Sequence, residues 1–104
     1  MSDTTTRRTR ILHVAELADW DQAQLSGNYK PLNFDTDGFT HCCFAEQLTK
    51  ILETYYADRS DYVILELTSN NDLSELKIET SSDGDEYPHV YGSIPLTHLA
   101  PFKR

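Results

Sequence analysis

A chain of 104 residues with 38% hydrophobic and 25% charged content is long enough for one domain with a single core and ordinary for a globular protein. Its formal net charge of −8 argues against a nucleic-acid module, which carries a basic face toward phosphate, and no apolar run approaches the roughly 18–20 residues that span a bilayer. The only cysteines, Cys42 and Cys43, are adjacent; neighbouring cysteines seldom bridge and this pair lacks zinc-site spacing, so a reducing cytoplasm is expected.

Residues 1–10 read as a disordered polar tail with no hydrophobic segment behind its arginines, and residues 11–104 as the single domain. Arg10–Val14 (R-I-L-H-V) has strand character, with Ile11 and His13 on one face and Leu12 and Val14 on the other. A helix is expected over about Leu17–Leu25, with Leu17, Trp20 and Gln24 along one side. Gly27-Asn28 should stop it, since both residues tolerate the left-handed conformation just past a helix end. Tyr29, Pro31 and Leu32 then run extended, and Asp35-Thr36-Asp37-Gly38 is a turn. That turn resembles the start of a calcium loop, but the later ligands and the distal glutamate are missing.

Phe39–Cys42 is a short strand leading into the best helix of the chain. Phe44, Leu48, Ile51, Leu52, Tyr55 and Tyr56 recur with a 3.6-residue period. Cys43 and Glu46 have capping-box spacing, although a thiol is a weak acceptor for the cap. Gln47 falls on the border of the apolar stripe, where it can point toward neighbouring strand ends. A turn at Asp58–Asp61 precedes Tyr62–Thr68, apolar on both faces at its start and therefore the candidate central strand. Asn70–Leu73 turns, Leu76–Glu79 alternates as a strand, and Ser81–Glu86 is an acidic loop expected to be mobile. Tyr87–Tyr91 and Ile94–Leu99 follow as the last strands. Strand, helix, strand, helix and then several closely connected strands make an α+β fold.

The chemistry available rests on histidine. His13 lies in an apolar strand, His41 at a strand-to-helix junction, and His89 beside the acidic loop, while His98 carries no assigned role. A histidine donates, accepts and changes charge near neutral pH, so convergence of the first three would define a site. A strand-to-helix junction also offers helix N-terminal N–H groups to an anionic or ribose-bearing ligand. No metal is expected, because no H-x-x-x-H or H-E-x-x-H spacing occurs and a His-Cys-Cys run is too compact for one tetrahedral centre. A thiol enzyme using Cys42 or Cys43 with His41 or His89 is a further alternative, set against two small buried thiols.

Taken in order, I-L-H-V with A-D-W, Y-x-P, G-F-T-H-C-C with the following Gln47, Y-V-I-L-E-L, K-I-E and P-H-V-Y-G resemble the domain-of-unknown-function 952 family. The resemblance covers Ile11 to about Leu99. It implies an ADP-ribosyltransferase-like fold, with two helices packed on a mixed or mainly antiparallel split sheet. The motif order is also similar to that of tRNA 2′-phosphotransferases, in which two strands each deliver a histidine. By that resemblance His13 would hold a ribose hydroxyl of NAD and His41 would contact the sugar or the nicotinamide. His89 and Tyr91, with Gln47 and Glu79, would complete the pocket, and Tyr29 of Y-x-P joins the ligand-binding set. The catalytic set is then His41, His89 and Glu79, the last stabilising an oxocarbenium-like state.

Departures from the wider fold narrow the substrate. Val14-Ala15 stands where many of these transferases have Gly and then Thr or Ser, Cys43 stands where the family usually has Ser, and no arginine matches those that hold RNA phosphate. What remains implied is a histidine-lined pocket acting on NAD or a related ADP-ribosyl nucleotide by an ADP-ribosyl-transfer or glycosyl-type reaction. The alternative is a non-catalytic module binding a nucleotide or another small molecule. Neither reading involves a nucleic-acid or membrane partner, and either suits a monomer or weak dimer.

Overall fold

The computed structural model describes residues 10–32, 34–68 and 75–103; the N-terminal segment 1–9 and the expected turn at Asn70–Leu73 lie outside the described residues. Strand β1 is Ile11–Glu16 and helix α1 is Leu17–Ser26. Gly27 closes α1 at φ 87°, donating its N–H to the Ala23 carbonyl at 2.8 Å, the left-handed stop that the Gly-Asn pair predicts. Strand β2 is Asn28–Tyr29. The expected turn at Asp35–Gly38 is instead a single helical turn, α2 (Phe34–Asp37), ended by Gly38 at φ 85° with its N–H on the Phe34 carbonyl.

The expected strand Phe39–Cys42 is shorter and divided. Strand β3 is Thr40–His41 and β4 is Cys43–Phe44, and the two belong to different sheets. A 3₁₀ turn, Ala45–Gln47, leads into α3 (Leu48–Tyr55). Leu48 and Leu52 of α3 are buried, whereas Tyr55, assigned to the same stripe, is 68% exposed. Strands β5 (Tyr62–Leu67), β6 (Leu76–Thr80) and β7 (Glu86–Val90) follow. The expected closing strand over Ile94–Leu99 is replaced by β8 (Ile94–Pro95), a 3₁₀ turn at Leu96–His98 and β9 (Leu99–Pro101). The turn hands the chain from one sheet to another, since β8 pairs with β2 while β9 pairs with β5.

The main sheet runs β4-β1-β5-β9, a second runs β3-β7-β6, and β2-β8 form a two-stranded ribbon. Every strand pairing among the described residues is antiparallel. β1 and β5 are the inner strands of the first sheet, as the doubly apolar run in β5 requires. Alternation along β1 separates two apolar layers. Ile11 and Ala15 pack with Ala23, Tyr29, Leu65 and Ile94 on the α1 side. Leu12 and Val14 pack with Leu48, Leu52, Ile64 and Tyr87 on the α3 side. Among the described residues, no helix is long and apolar enough to cross a membrane.

Arg10, counted with the tail, is tied down: its guanidinium holds Glu66 in two hydrogen bonds at 2.9 and 3.0 Å and lies over the Phe102 ring. The acidic loop at 81–85 is pinned rather than loose. Lys50 reaches Asp83 at 3.0 Å, Gln47 reaches Asp85 at 2.9 Å, and the Ser81 N–H bonds the Asp85 carbonyl. Each bond ties the loop to α3, to the turn before it, or to itself.

Candidate functional site

An open cleft of about 1450 Å³ is lined from both larger sheets, by His13 and Val14 of β1, Cys43 of β4, His41 of β3 and Tyr87 and His89 of β7. Residues preceding β3, among them Leu32, Thr36 and Phe39, form one wall, and Lys50, Tyr55, Tyr56 and Arg59 another. The cleft is larger than the few hundred to about 1,000 Å³ usual for a small-molecule pocket and has the same mixed apolar and polar lining.

His13 sits at its buried floor, only 6% exposed. Its Nδ1 is 2.6 Å from the His41 carbonyl and its Nε2 is 2.7 Å from the Tyr29 hydroxyl. A carbonyl only accepts, so Nδ1 carries the proton. Burial pushes the imidazole down to about 4, the one opposing influence being the bond to the His41 carbonyl, so the ring is neutral and its bare Nε2 accepts from the Tyr29 O–H. Both ring nitrogens are therefore spent inside the protein. Tyr29 is fully buried, and burial, reinforced by the nearby Asp19 charge, raises its phenol above its ordinary range. These two residues, expected to bind ligand, form a buried pair under the cleft that fixes the backbone at His41.

Two further histidines line the cleft, His41 exposed and His89 half-buried beside it. His41 and His89 are directly opposite on β3 and β7, where cross-strand side chains stand side by side, and their ring centroids lie 5.5 Å apart. Phe39 packs on both, stacked on His89 at 4.1 Å and tilted on His41 at 4.5 Å. Nδ1 of His89 bonds Glu79 Oε1 at 2.6 Å, and the Tyr91 hydroxyl donates to the same oxygen at 2.6 Å. These donors, Tyr91 first, hold the Glu79 carboxyl below its ordinary range. A carboxylate accepts, so the His89 proton sits on Nδ1, and in the neutral ring Nε2 offers a lone pair with no protein partner among the described residues. His41 Nε2 lies 3.1 Å from Asp37 Oδ2, and over half of the His41 side chain is exposed.

Of the expected site residues, His13, Tyr29, His41 and His89 line the cleft, whereas Gln47, Glu79 and Tyr91 do not. Glu79 stands behind His89 and hydrogen-bonds it, and Tyr91 in turn donates to Glu79. Gln47 is buried, with its carbonyl accepting the Phe44 N–H at 2.8 Å and its amide donating to Asp85 Oδ2 and the Glu86 carbonyl, each at 2.9 Å. Its three bonds staple the helix start to the acidic loop and use both of its N–H donors. The staple also moves the cap: Phe44, not Cys43, occupies the N-cap, and Gln47, not Glu46, is the residue that reaches back to it. The N–H groups of Phe44 and Ala45 are taken by Gln47 and the Arg10 carbonyl, so the junction does not present them to an anion.

The thiols do not suit nucleophilic chemistry. Cys42 and Cys43 are buried, and burial pushes both thiols up, Cys43 to about 12. No group of three or more metal-ligating side chains converges among the described residues. Phe39, Asp37, Lys50 and Arg59 were missed as site residues. Phe39 had a usable signal, since residues two apart on an extended chain share a face and it stands two before His41. The cleft's cations are already engaged. Lys50 bonds Asp83 and the Tyr87 hydroxyl at 3.0 and 3.2 Å, and Arg59 pairs with Glu16 and Asp61.

The chain is thus a small α+β domain, its sheets mainly antiparallel, with a histidine-bearing cleft between two of them. It belongs to the DUF952 family, described as a protein family of unknown function, whose model matches residues 14–100. No curated protein matches the chain. Its fold is similar to the crystal structure of protein CC0527 from Caulobacter crescentus, with TM-score 0.78 and 23% identity over 90% of this chain and 86% of that one. The solution structure of the same protein gives TM-score 0.75 and 25% identity over 88% and 80%.

Proposed function

We propose that the cleft is a small-molecule site whose ligand is NAD or a related ADP-ribosyl nucleotide, with His89 as its acid–base group and Glu79 as the residue that positions it. The observation that carries the reading is the convergence of His41, His89 and the Phe39 ring in one cleft, with Glu79 bonded to the far nitrogen of His89. An imidazole whose Nδ1–H is held by a carboxylate keeps its Nε2 lone pair in one direction, as general-base chemistry needs. The ADP-ribosyltransferase-like placement implied by the motif order belongs to this proposal; a cleft lined from two antiparallel sheets supports it.

In N-glycosidic cleavage the ribosyl–nicotinamide bond breaks, nicotinamide leaves with the bonding pair, and positive charge develops on the sugar. His89 Nε2 takes the proton of the attacking water or hydroxyl, and Glu79 stabilises the resulting imidazolium. Incubation with NAD while nicotinamide release is followed tests the reading, with His89→Ala as the control. Absence of both turnover and nucleotide binding would overturn it.

A second reading, a module that binds without reacting, is favoured by the internal pairing of Lys50 and Arg59, which leaves neither side chain waiting for a phosphate. Thermal shift separates the two, since a ligand at 100 times its Kd adds about 2.7 kcal/mol of stability. ADP-ribose or NAD bound without turnover would select the second.

A further inference from the structure

We infer that the cleft selects a planar ring bearing positive charge, and that Asp19 is the specificity-determining carboxylate; this rests on the reading that the cleft is the ligand site. Three carboxylates, Glu16, Asp19 and Asp83, and two cations, Lys50 and Arg59, line it. Glu16 is consumed by Arg59 and Asp83 by Lys50. The Asp83 carboxyl is drawn down to about 2 by the Asp85 N–H, then by Lys50 and Tyr87. Among the described residues no cation pairs with Asp19. Among the described residues its hydrogen bond is a long one, 3.3 Å, from the Leu32 N–H.

The lining charge is therefore one carboxylate in excess, inside a chain of formal net charge −8. An anionic ligand entering such a space meets repulsion with no unpaired lining cation to offset it, while a cation is drawn in. The aromatic lining points the same way. Rings of Tyr56 and Tyr87 already carry Arg59 and Lys50 at 5.1 and 5.9 Å. Tyr55, 68% exposed, also lines the cleft and has no such partner among the described residues, so its ring is available to an incoming cation. Phe39 adds an apolar edge. A dinucleotide would then be gripped by its cationic ring end, with its phosphates outside the cleft.

Asp19 also has a structural use. It stands in the first turn of α1, where a carboxylate offsets the positive end of the helix dipole, so the test must separate folding from binding. Calorimetry would compare the N-methylnicotinamide cation, its neutral isostere nicotinamide, ADP-ribose and NAD on the full chain, with melting of each unliganded variant as the folding control. The cation should bind more tightly than the neutral ring, and Asp19→Asn should weaken it about fivefold, the size of one screened charge pair, without affecting nicotinamide. Lys50→Ala, which releases Asp83, should tighten cation binding. Equal affinity for the charged and neutral rings, or tighter binding of ADP-ribose than of the cation, overturns this inference and leaves the nucleotide site standing. If no probe binds, both fall.

Discussion

His13 Nδ1–H donates to the backbone carbonyl of His41 across 2.6 Å, so the buried histidine of β1 sets the path of the strand that displays the exposed one. With Nε2 closed by Tyr29 at 2.7 Å, the ring becomes a bridge between β2 and β3. The pair of histidines is one unit, in which one positions and the other is presented.

Removing the hydroxyl in Tyr29→Phe strands the His13 Nε2 lone pair in a buried site. The expected cost is about 1–3 kcal/mol, read as a lower midpoint in urea at unchanged slope. A cost below the error of the extrapolation would mean that water replaces the phenol.

His13 should also make stability depend on pH. Its folded value, about 4, lies below the ordinary 6.5, so the unfolded chain takes up the proton first as pH falls. Its contribution is fully present above about pH 6.5 and is lost down to about pH 4, amounting to about 3 kcal/mol. Denaturation of wild type and His13→Asn across that window should show a steeper acid-side loss for wild type. Parallel curves would refute the assignment.

Gln47→Ala should behave as a core substitution, not a ligand-site one. Loss of three bonds, with the Phe44 N–H and Glu86 carbonyl left short of partners, should cost about 3 kcal/mol. Hydrogen exchange at the Phe44 amide should quicken.

At neutral pH the two thiols should be inert. Burial holds Cys43 up near 12 and Cys42 above its ordinary range, so mass spectrometry after iodoacetamide should find both unmodified in native protein and both alkylated in guanidinium. Rapid native alkylation of either would revive the thiol mechanism.

Glu79→Gln should leave the fold nearly untouched, because Glu79 is on the edge strand β6 and only half-buried, while weakening the hold on His89. If NAD is turned over, the rate should fall by about 10²-fold or more, within the range for general acid–base groups. His89→Ala should do at least as much, and unchanged rates in both would exclude the dyad from the chemistry.

The features whose physics is local could be read from the residues alone. Gly27 ended α1 because a left-handed residue was needed there, the alternation of β1 put Ile11 and Leu12 in different layers, and the doubly apolar run of β5 required an inner strand. The sequence also nominated His13, His41 and His89. What each of them does depends on packing, because a hydrogen bond is assigned by approach in space. His41 and His89 are 48 positions apart in the chain and meet through strand pairing. Gln47 finds its partners 38 and 39 positions away, which turns a border residue into a staple. The divided strands at 40–44 and 94–101 were illegible for the same reason: a chain that passes from one sheet to another breaks where its partners change, and its own residues do not name those partners.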